Sequence, residues 1–219
     1  NPYFLFVEDL RGKITTGQKI QAALRGYLGA KSLYACKPPE TAVVLFTSGS
    51  ESLPKAVPLT HENLLSNLFT VLSQVILLRK GEIFLGMLPP FHSFGLMANI
   101  LTCLCMGIPT VFHSNPTEAT VLASLIEIWT ASLMVGTPAF LNGIVRSAQK
   151  GQLASLRWAV VGAEKCPEAV YEALRQHCPH AAILEGYGIT ECSPIISANT
   201  SLRQIPGSIG WPIPSLEYL

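Results

Sequence analysis

The fold is decided by the stretch WAVVGAE (158–164), in which an apolar run ends in two small residues and a carboxylate. Such a run, bounded by turn residues, is typical of a strand that is buried on both faces of a sheet. The strand-like run here covers 157–161, and further ones lie at 42–46, 82–88, 109–113, 132–136 and 181–185. Helical patterns lie between the strands, near 17–29, 61–79, 95–106, 117–130, 138–149 and 167–177. This alternation predicts an α/β fold, with a mostly parallel sheet and helices on both faces.

The composition is apolar, and the charge is close to balanced. Of the 219 residues, 49% are hydrophobic and 13% charged, and the mean hydropathy is +0.37. These values exceed those of an average soluble domain, which indicates either a large buried sheet or a piece of a larger protein with apolar cut faces. The net charge of +1 argues against a nucleic-acid partner.

The cysteines indicate a reducing, cytoplasmic environment. None of the six forms a CxxC pair or lies beside a histidine at metal-ligand spacing, which argues against a structural zinc site. Thiols without a disulfide framework are typical of the cytosol. Cys103 and Cys105 lie within an apolar run, so we expect both thiols to be buried.

One segment has the length and polarity of a membrane span. Residues 94–112 include no charged side chain, and a stretch of this length could cross a bilayer. Gly107 and Pro109 interrupt it, and β-branched residues follow. The segment therefore predicts a helix, a turn and a buried strand rather than a transmembrane helix.

Candidate site residues follow the strands. In parallel α/β sheets, ligands bind beyond the carboxyl ends of the strands, so the loops after 46, 88, 136, 161 and 185 are candidates. The first loop lies in TSGSESLPKA (47–56), which can offer backbone N–H groups and one cation to phosphate. It is not a Walker motif, because Pro54 precedes Lys55 and Ala56 follows it. A serine-rich surface turn explains it equally well.

Two further loops combine aromatic, small and charged residues. In PPFHSFG (89–95), His92 lies between two aromatics, which suits either contact with a ligand or a half-buried histidine packed by its neighbours. In GAE (162–164), the small residues allow the backbone to approach a flat ring. An ordinary strand-to-helix turn, with Glu164 helping to start the helix, is the alternative.

The fourth loop, EGYGITE (185–191), combines an aromatic, two glycines, a hydroxyl and a carboxylate. This set suits stacking on a base, contact with phosphate and ligation of Mg²⁺ through oxygen. A glycine-rich turn would explain the glycines, but not Thr190 and Glu191 together.

Taken in order, these motifs resemble those of the adenylate-forming superfamily, which includes acyl-CoA synthetases, luciferases and peptide-synthetase adenylation domains. The matching stretches are TSGSESLPKA, FHSFG, GAE and YGITE, with PGSIGWP (206–212) after them. Three longer stretches are similar to the synthetase part of bacterial acyl–acyl carrier protein synthetases: LPPFHSFGL, LRWAVVGAEKC and ILEGYGITECSPIISAN. Those proteins are often fused to a 2-acylglycerophosphoethanolamine acyltransferase.

The resemblance implies a reaction and a role for each matching residue. ATP and a fatty acid would form an acyl-adenylate with Mg²⁺, and a thiol of acyl carrier protein or CoA would then capture the acyl group. The implied phosphate loop comprises Thr47, Ser48, Gly49, Ser50, Glu51 and Lys55. The implied nucleotide pocket comprises Gly162, Ala163, Glu164, Tyr187 and Gly188. Thr190 would contact the α-phosphate, Glu191 would ligate Mg²⁺, and His92 would lie near the acyl group or the thiol channel.

The chain also departs from the family pattern. Ser52, Ala56 and Ser215 stand where the family usually has glycine. By resemblance, residues 1–219 form a central fragment of the AMP-binding large domain, without its extreme N-terminal part or the small C-terminal domain. We therefore expect little acyl-adenylate from this chain alone. The alternatives are a part of a bifunctional lysophospholipid acyltransferase, peripheral to the inner face of the bacterial inner membrane, and a non-catalytic nucleotide-binding relic.

Overall fold

The computed structural model describes residues 12–27, 37–47 and 54–217, and the chain divides into two units, residues 1–39 and 40–219. In the first unit, helix α1 (Thr16–Tyr27) has no buried residue. Thr15 and Gln18 bond across its first turn, since each side chain accepts a hydrogen bond from the other residue's main chain. The predicted helix at 17–29 is confirmed as far as residue 27, and its last two residues lie outside the described ranges.

In the second unit, strands β1 (Thr41–Thr47) and β2 (Lys55–Thr60) form an antiparallel pair that is separate from the main sheet. The predicted strand at 42–46 is confirmed. It is buried on one side only: Leu45 packs inward, whereas the side chain of Phe46 is 66% exposed. Strand β2 was not predicted, because proline is uncommon within strands and because only Val57 and Leu59 of this segment are buried.

Within the described ranges, the main sheet has seven strands. These are β3 (Phe84–Gly86), β4 (Thr110–Phe112), β5 (Leu133–Gly136), β6 (Trp158–Val161), β7 (Ala182–Gly188), β8 (Ile195–Ala198) and β9 (Trp211–Pro212). Their spatial order is β4-β3-β5-β6-β7-β8-β9. The strands from β4 to β7 pair in parallel, and β8 and β9 extend the sheet antiparallel. The predicted α/β fold with a mostly parallel sheet is therefore confirmed.

Helices cover both faces of this sheet. The described helices of this unit are α2 (His61–Thr70), whose buried leucines pack against the β1–β2 pair, α3 (Ser93–Gly95), α4 (Cys103–Met106), α5 (Ala119–Trp129), α6 (Pro138–Ser147) and α7 (Glu168–His177). A π-helical segment, Val71–Val75, follows α2, and a second one, Leu96–Thr102, joins α3 to α4. A capping box between Thr60 and Asn63 starts α2, and such a cap is worth about 1 kcal/mol.

Alternate residues of the central strands enter two different cores. Met134 and Ala159 pack against α5, α6 and α7 on one face of the sheet. Leu133 and Trp158 pack on the other face, against the π-helical segments and their neighbours. This two-sided burial explains why the strand sequences are continuously apolar rather than alternating.

The membrane-like segment is confirmed as a helix, a turn and a strand. Its helical part ends at Gly107, which has φ +62° and terminates α4 in the left-handed conformation. The prediction that its strand is buried is wrong, because β4 is the edge strand and Phe112 is 60% exposed. No helix within the described ranges is both long enough and apolar enough to cross a membrane.

The thiols of Cys103 and Cys105 have different environments. Cys103 is buried as expected, but the prediction for Cys105 is wrong, since its side chain is exposed. Residues two apart on a helix point in different directions, so both cannot face the same core. The described cysteines form no disulfide, and Cys36 lies outside the described ranges.

Candidate active site

A cavity of about 490 Å³ lies where the predicted loops converge. The segments that follow β3, β5, β6 and β7 all contribute to its wall. Its lining includes His92, Ser93, Thr137, Gly162, Ala163, Tyr187, Gly188 and Thr190. The position matches the expectation that ligands bind beyond the carboxyl ends of parallel strands.

The rest of the cavity lining is apolar. It includes Val71, Val75, Ile76, Leu88, Phe140, Val160, Leu184, Ile195 and Ala198. Several of these side chains also belong to the core on this face of the sheet. An apolar interior with a few convergent polar groups at its mouth can hold a flat ring or a hydrocarbon chain and orient it through polar atoms.

The turn after β6 places backbone at the cavity wall. A Cβ atom on Gly162 would lie 3.1 Å from the ring of Phe94, so the small residue allows this close approach. Ala163 has φ +70°, which is uncommon for a residue other than glycine. Glu185, which is 2% exposed, holds the turn from below, because its Oε1 accepts a hydrogen bond of 2.9 Å from the Cys166 N–H.

The electrostatics below this turn favour neutral side chains. Burial, with smaller contributions from Glu185 and Glu168, raises the pKa of the Cys166 thiol to about 11. Burial and the nearby Glu185 also raise the pKa of Tyr171 to about 12. Both groups are therefore protonated at neutral pH, and Cys166 is not an activated nucleophile.

The loop after β7 is anchored from two directions. The Thr190 hydroxyl lies 3.1 Å from the Ser93 hydroxyl, which joins this loop to the one that carries His92. From α2, the Asn67 side chain bonds to main-chain atoms of Cys192 and Ile195. Gly188 packs so closely against the Pro194 main chain that a Cβ atom would overlap it.

The predicted site residues do not all lie at the cavity. His92, Gly162, Ala163, Tyr187, Gly188 and Thr190 line it. His92 is exposed rather than half-buried, and its ring centroid is 4.7 Å from that of Phe91. Glu164 is exposed and is not among the lining residues. Glu191 lines a second, polar cavity of about 230 Å³, together with Glu62, Asn67, Ser193 and Ser215.

The predicted phosphate loop is described only at its ends. Thr47 and Lys55 are register partners at the end of the β1–β2 pair, and neither is among the residues that line the two cavities. Lys55 is exposed. Ser48, Gly49, Ser50 and Glu51 lie outside the described ranges, so the phosphate-binding roles of this loop stay predictions.

Residues 10–219 match the family model described as AMP-binding enzyme. The chain belongs to the AMP-binding enzyme family. It is 30% identical over 183 residues to a long-chain-fatty-acid–CoA ligase of Yersinia pestis. This match covers 81% of this chain and 32% of that protein. The chain thus spans about a third of the length of this relative.

Solved structures confirm the family fold. A long-chain-fatty-acid–CoA ligase from Archaeoglobus fulgidus has a TM-score of 0.66 and 26% identity, over 80% of this chain and 37% of that one. The Bacillus subtilis o-succinylbenzoate coenzyme A synthetase, in complex with ATP and magnesium ion, has a TM-score of 0.67 over 79% of this chain and 36% of that one. At 22% identity, the second likeness shows the fold alone.

The described part of the chain contains no cluster of three or more His, Cys, Asp or Glu side chains that could hold a metal ion by themselves. Glu191 is an exposed carboxylate that follows Thr190 in the chain and lines the smaller, polar cavity. Mg²⁺ commonly binds through one or two carboxylates together with substrate phosphates and water. This donor set therefore fits a magnesium ion that arrives with a nucleotide.

Three residues that support the candidate site were not predicted: Asn67, Ser93 and Glu185. For Asn67 the sequence holds a signal, because this amide lies between Leu64 and Leu68 on the buried face of α2. A polar side chain on such a face needs hydrogen-bond partners. The partners themselves, more than 120 residues away in sequence, follow only from the tertiary structure.

Proposed function

We propose that this chain supplies the nucleotide- and acid-binding region of an ATP-dependent acid–thiol ligase. In the first step, a carboxylate oxygen attacks the α-phosphorus of ATP, and the bond to the β-phosphate oxygen breaks to release pyrophosphate. In the second step, a thiolate attacks the acyl carbon, and the bond from that carbon to the AMP oxygen breaks. The observation that carries the proposal is the convergence of His92, Gly162, Tyr187 and Thr190 on one cavity.

The proposed roles follow from position. The backbone at Gly162 and Ala163 and the exposed ring of Tyr187 would hold the adenine at the rim. The Thr190 hydroxyl would donate to an α-phosphate oxygen, where charge increases during the attack. His92 would lie beside the acyl group or the entering thiol. Bound Mg²⁺ would neutralise phosphate charge, and Glu191 would hold it. Lys55, from the β1–β2 pair, would provide a cation for the outer phosphates.

We propose a fatty acid as the acid substrate. The apolar part of the cavity lining, which includes Val75, Phe140 and Leu184, supports a hydrocarbon chain. The names of the Yersinia pestis and Archaeoglobus fulgidus relatives support the same class. The acceptor would be the thiol of acyl carrier protein. This assignment rests on the sequences LPPFHSFGL, LRWAVVGAEKC and ILEGYGITECSPIISAN. CoA is the alternative acceptor, and it is the one that the names of these relatives carry.

The finer resemblance also supports a parent protein with a lysophospholipid acyltransferase activity that is peripheral to the inner face of the inner membrane. An HxxxxD motif in the full-length gene, upstream of this chain, would support it. If the full-length protein acylates CoA and not carrier protein, this finer proposal is wrong, while the acid–thiol ligase proposal stands.

Two measurements test the main proposal. Calorimetric titration with a non-hydrolysable acyl-adenylate analogue should show binding by the full-length protein. ATP–pyrophosphate exchange with a series of fatty acids should be measurable for the full-length protein and close to background for residues 1–219. Robust exchange by the 219-residue chain would contradict its assignment as a central fragment. No exchange with any acid by the full-length protein would favour the non-catalytic relic.

A further inference from the structure

Asn67 on α2 is a buried amide whose bonding is directed at one loop. Its side chain is almost fully buried, with 2% of the residue exposed. Its Nδ2 donates to the Cys192 carbonyl at 3.1 Å and to the Ile195 carbonyl at 2.8 Å. Its Oδ1 accepts from the Ile195 N–H at 3.3 Å. Both ends of this amide are thus used by a single segment of main chain.

We propose that Asn67 is a positioning residue that fixes the turn carrying Thr190 and Glu191 toward the phosphates of the bound nucleotide. This inference rests on the proposed function. Asn67 itself does not line the main cavity; it lines the smaller polar cavity together with Glu191. It would therefore act through the turn rather than by contact with the reacting atoms.

Hydrogen bonds from Asn67 and Ser93 join this turn to neighbouring elements, while its own main-chain bonds run within the loop. Residues Thr190–Cys192 form one short 3-10 turn, and Ser193 then takes a left-handed conformation with φ +69°. The Ile189 N–H bonds back to the Pro194 carbonyl at 2.9 Å, which closes the loop on itself. Without the amide, two part-buried carbonyls and one part-buried N–H lose a hydrogen bond, and we expect the main chain to shift toward other partners.

Such a shift would act on one side of the nucleotide site only. Gly162 and Ala163 follow β6, which pairs with β5 and β7 away from Asn67, and Tyr187 pairs with Ser197 of β8 rather than with Ile195. Thr190 and Glu191 lie directly before the segment that Asn67 bonds. Loss of Asn67 should therefore weaken the recognition of phosphate and leave that of adenosine unchanged.

The test measures dissociation constants of adenosine, AMP and ATP with Mg²⁺ for the full-length protein and its Asn67→Ala and Asn67→Asp variants. Asn67→Asp keeps the size and the acceptor but removes both donated hydrogen bonds. We expect both variants to bind ATP about tenfold more weakly, a loss comparable to that of one buried hydrogen bond. Adenosine should bind within about twofold of the parent, since none of its predicted contacts is lost.

Ser132→Ala is the matched control. It also removes a buried side-chain acceptor from a main-chain N–H, that of Ile83 at 3.0 Å, but directly before the amino end of β5, whereas the cavity lies beyond the carboxyl ends. This variant should lose thermal stability without changing the ratio of ATP to adenosine affinity. A merely structural role of Asn67 would give the same result for Asn67→Ala.

The outcomes separate the two proposals. If the parent protein binds no ATP, the proposed function fails. If the parent binds ATP and the Asn67 variants bind it equally well, or lose adenosine and ATP alike, the positioning role is overturned. Should neither variant fold, hydrogen exchange of the parent decides: ATP with Mg²⁺, but not adenosine, should slow exchange of the Ile195 amide. Equal slowing by both ligands would overturn the inference.

Discussion

The proposed adenine side and the proposed phosphate side of this site are built differently. Gly162 and Tyr187 lie on or directly after central strands of a sheet that is packed on both faces. Lys55 lies on a two-stranded pair with one buried side, and its own side chain is exposed. Thr190 lies between these extremes, on a loop anchored by single side chains. We infer that base recognition is built into the sheet, whereas phosphate recognition relies on a few replaceable contacts.

The largest effect is expected from Gly188→Ala, which would distort the proposed adenine side, the side built on the sheet. The added Cβ would overlap the Pro194 main chain, so β7 or the following loop must move. We expect the free energy of unfolding to fall by about 3 kcal/mol, and nucleotide binding to be lost. Denaturant unfolding and calorimetry check both. Gly143→Ala is the control, because there a Cβ would be 3.5 Å from that of Ala119, an ordinary contact in a helix. Equal stability of the two variants would refute the rigid assignment.

The second prediction concerns removal of the Thr190 hydroxyl alone. Thr190→Val keeps the shape but removes the group proposed to contact the α-phosphate, so kcat/KM for adenylation should fall about a hundredfold. Pyrophosphate exchange by the full-length protein measures this. Thr120→Val, at an exposed position of α5, should leave the rate unchanged. If Thr190→Val is as active as the parent, the Thr190–Ser93 pair serves only to join the loops.

The same difference in construction explains what could be predicted from the sequence. The central strands β5 and β6 follow from apolar runs, because burial on both faces leaves a continuous pattern. Strand β2 could not be found this way, since only Val57 and Leu59 point inward and Pro58 interrupts the pattern. Local chemistry indicates a strand only where burial dominates it.

For the site, motif chemistry identifies the loops but not the direction of each side chain. Thr190 and Glu191 are neighbours in one motif, yet they line different cavities, because the 3-10 turn directs successive residues apart. Asn67 and Glu185 support the site through main-chain hydrogen bonds. Such bonds depend on which segments meet in space, and no spacing rule along the chain encodes them.

A smaller effect is expected from Lys55→Ala on the phosphate side. Removal of one exposed cation should raise KM for ATP about tenfold, the loss typical of a hydrogen bond to a charged group. The affinity for adenosine should not change. Lys150→Ala, which removes another exposed lysine, is the control for the general loss of positive charge. If adenosine affinity falls in parallel with that of ATP, the two sides of the site are not independent.

The smallest effect concerns two buried thiols, of which Cys166 lies beneath the turn on the adenine side. Burial raises the pKa of Cys166 to about 11, and likewise that of Cys178, above the value near 9 of a free thiol. Below pH 9 these thiols are protonated in both folded and unfolded chains, so they give no pH dependence. As the pH rises from 9 toward 11, only the unfolded thiols ionise, and the free energy of unfolding falls by about 1 kcal/mol per pH unit for each thiol.

Urea unfolding at pH 8 and pH 10 measures this decline, and Cys166→Ala should make it shallower. An unchanged decline in that variant would mean that the region under the 162–164 turn is open to water, and the contrast between the two sides would lose its physical basis.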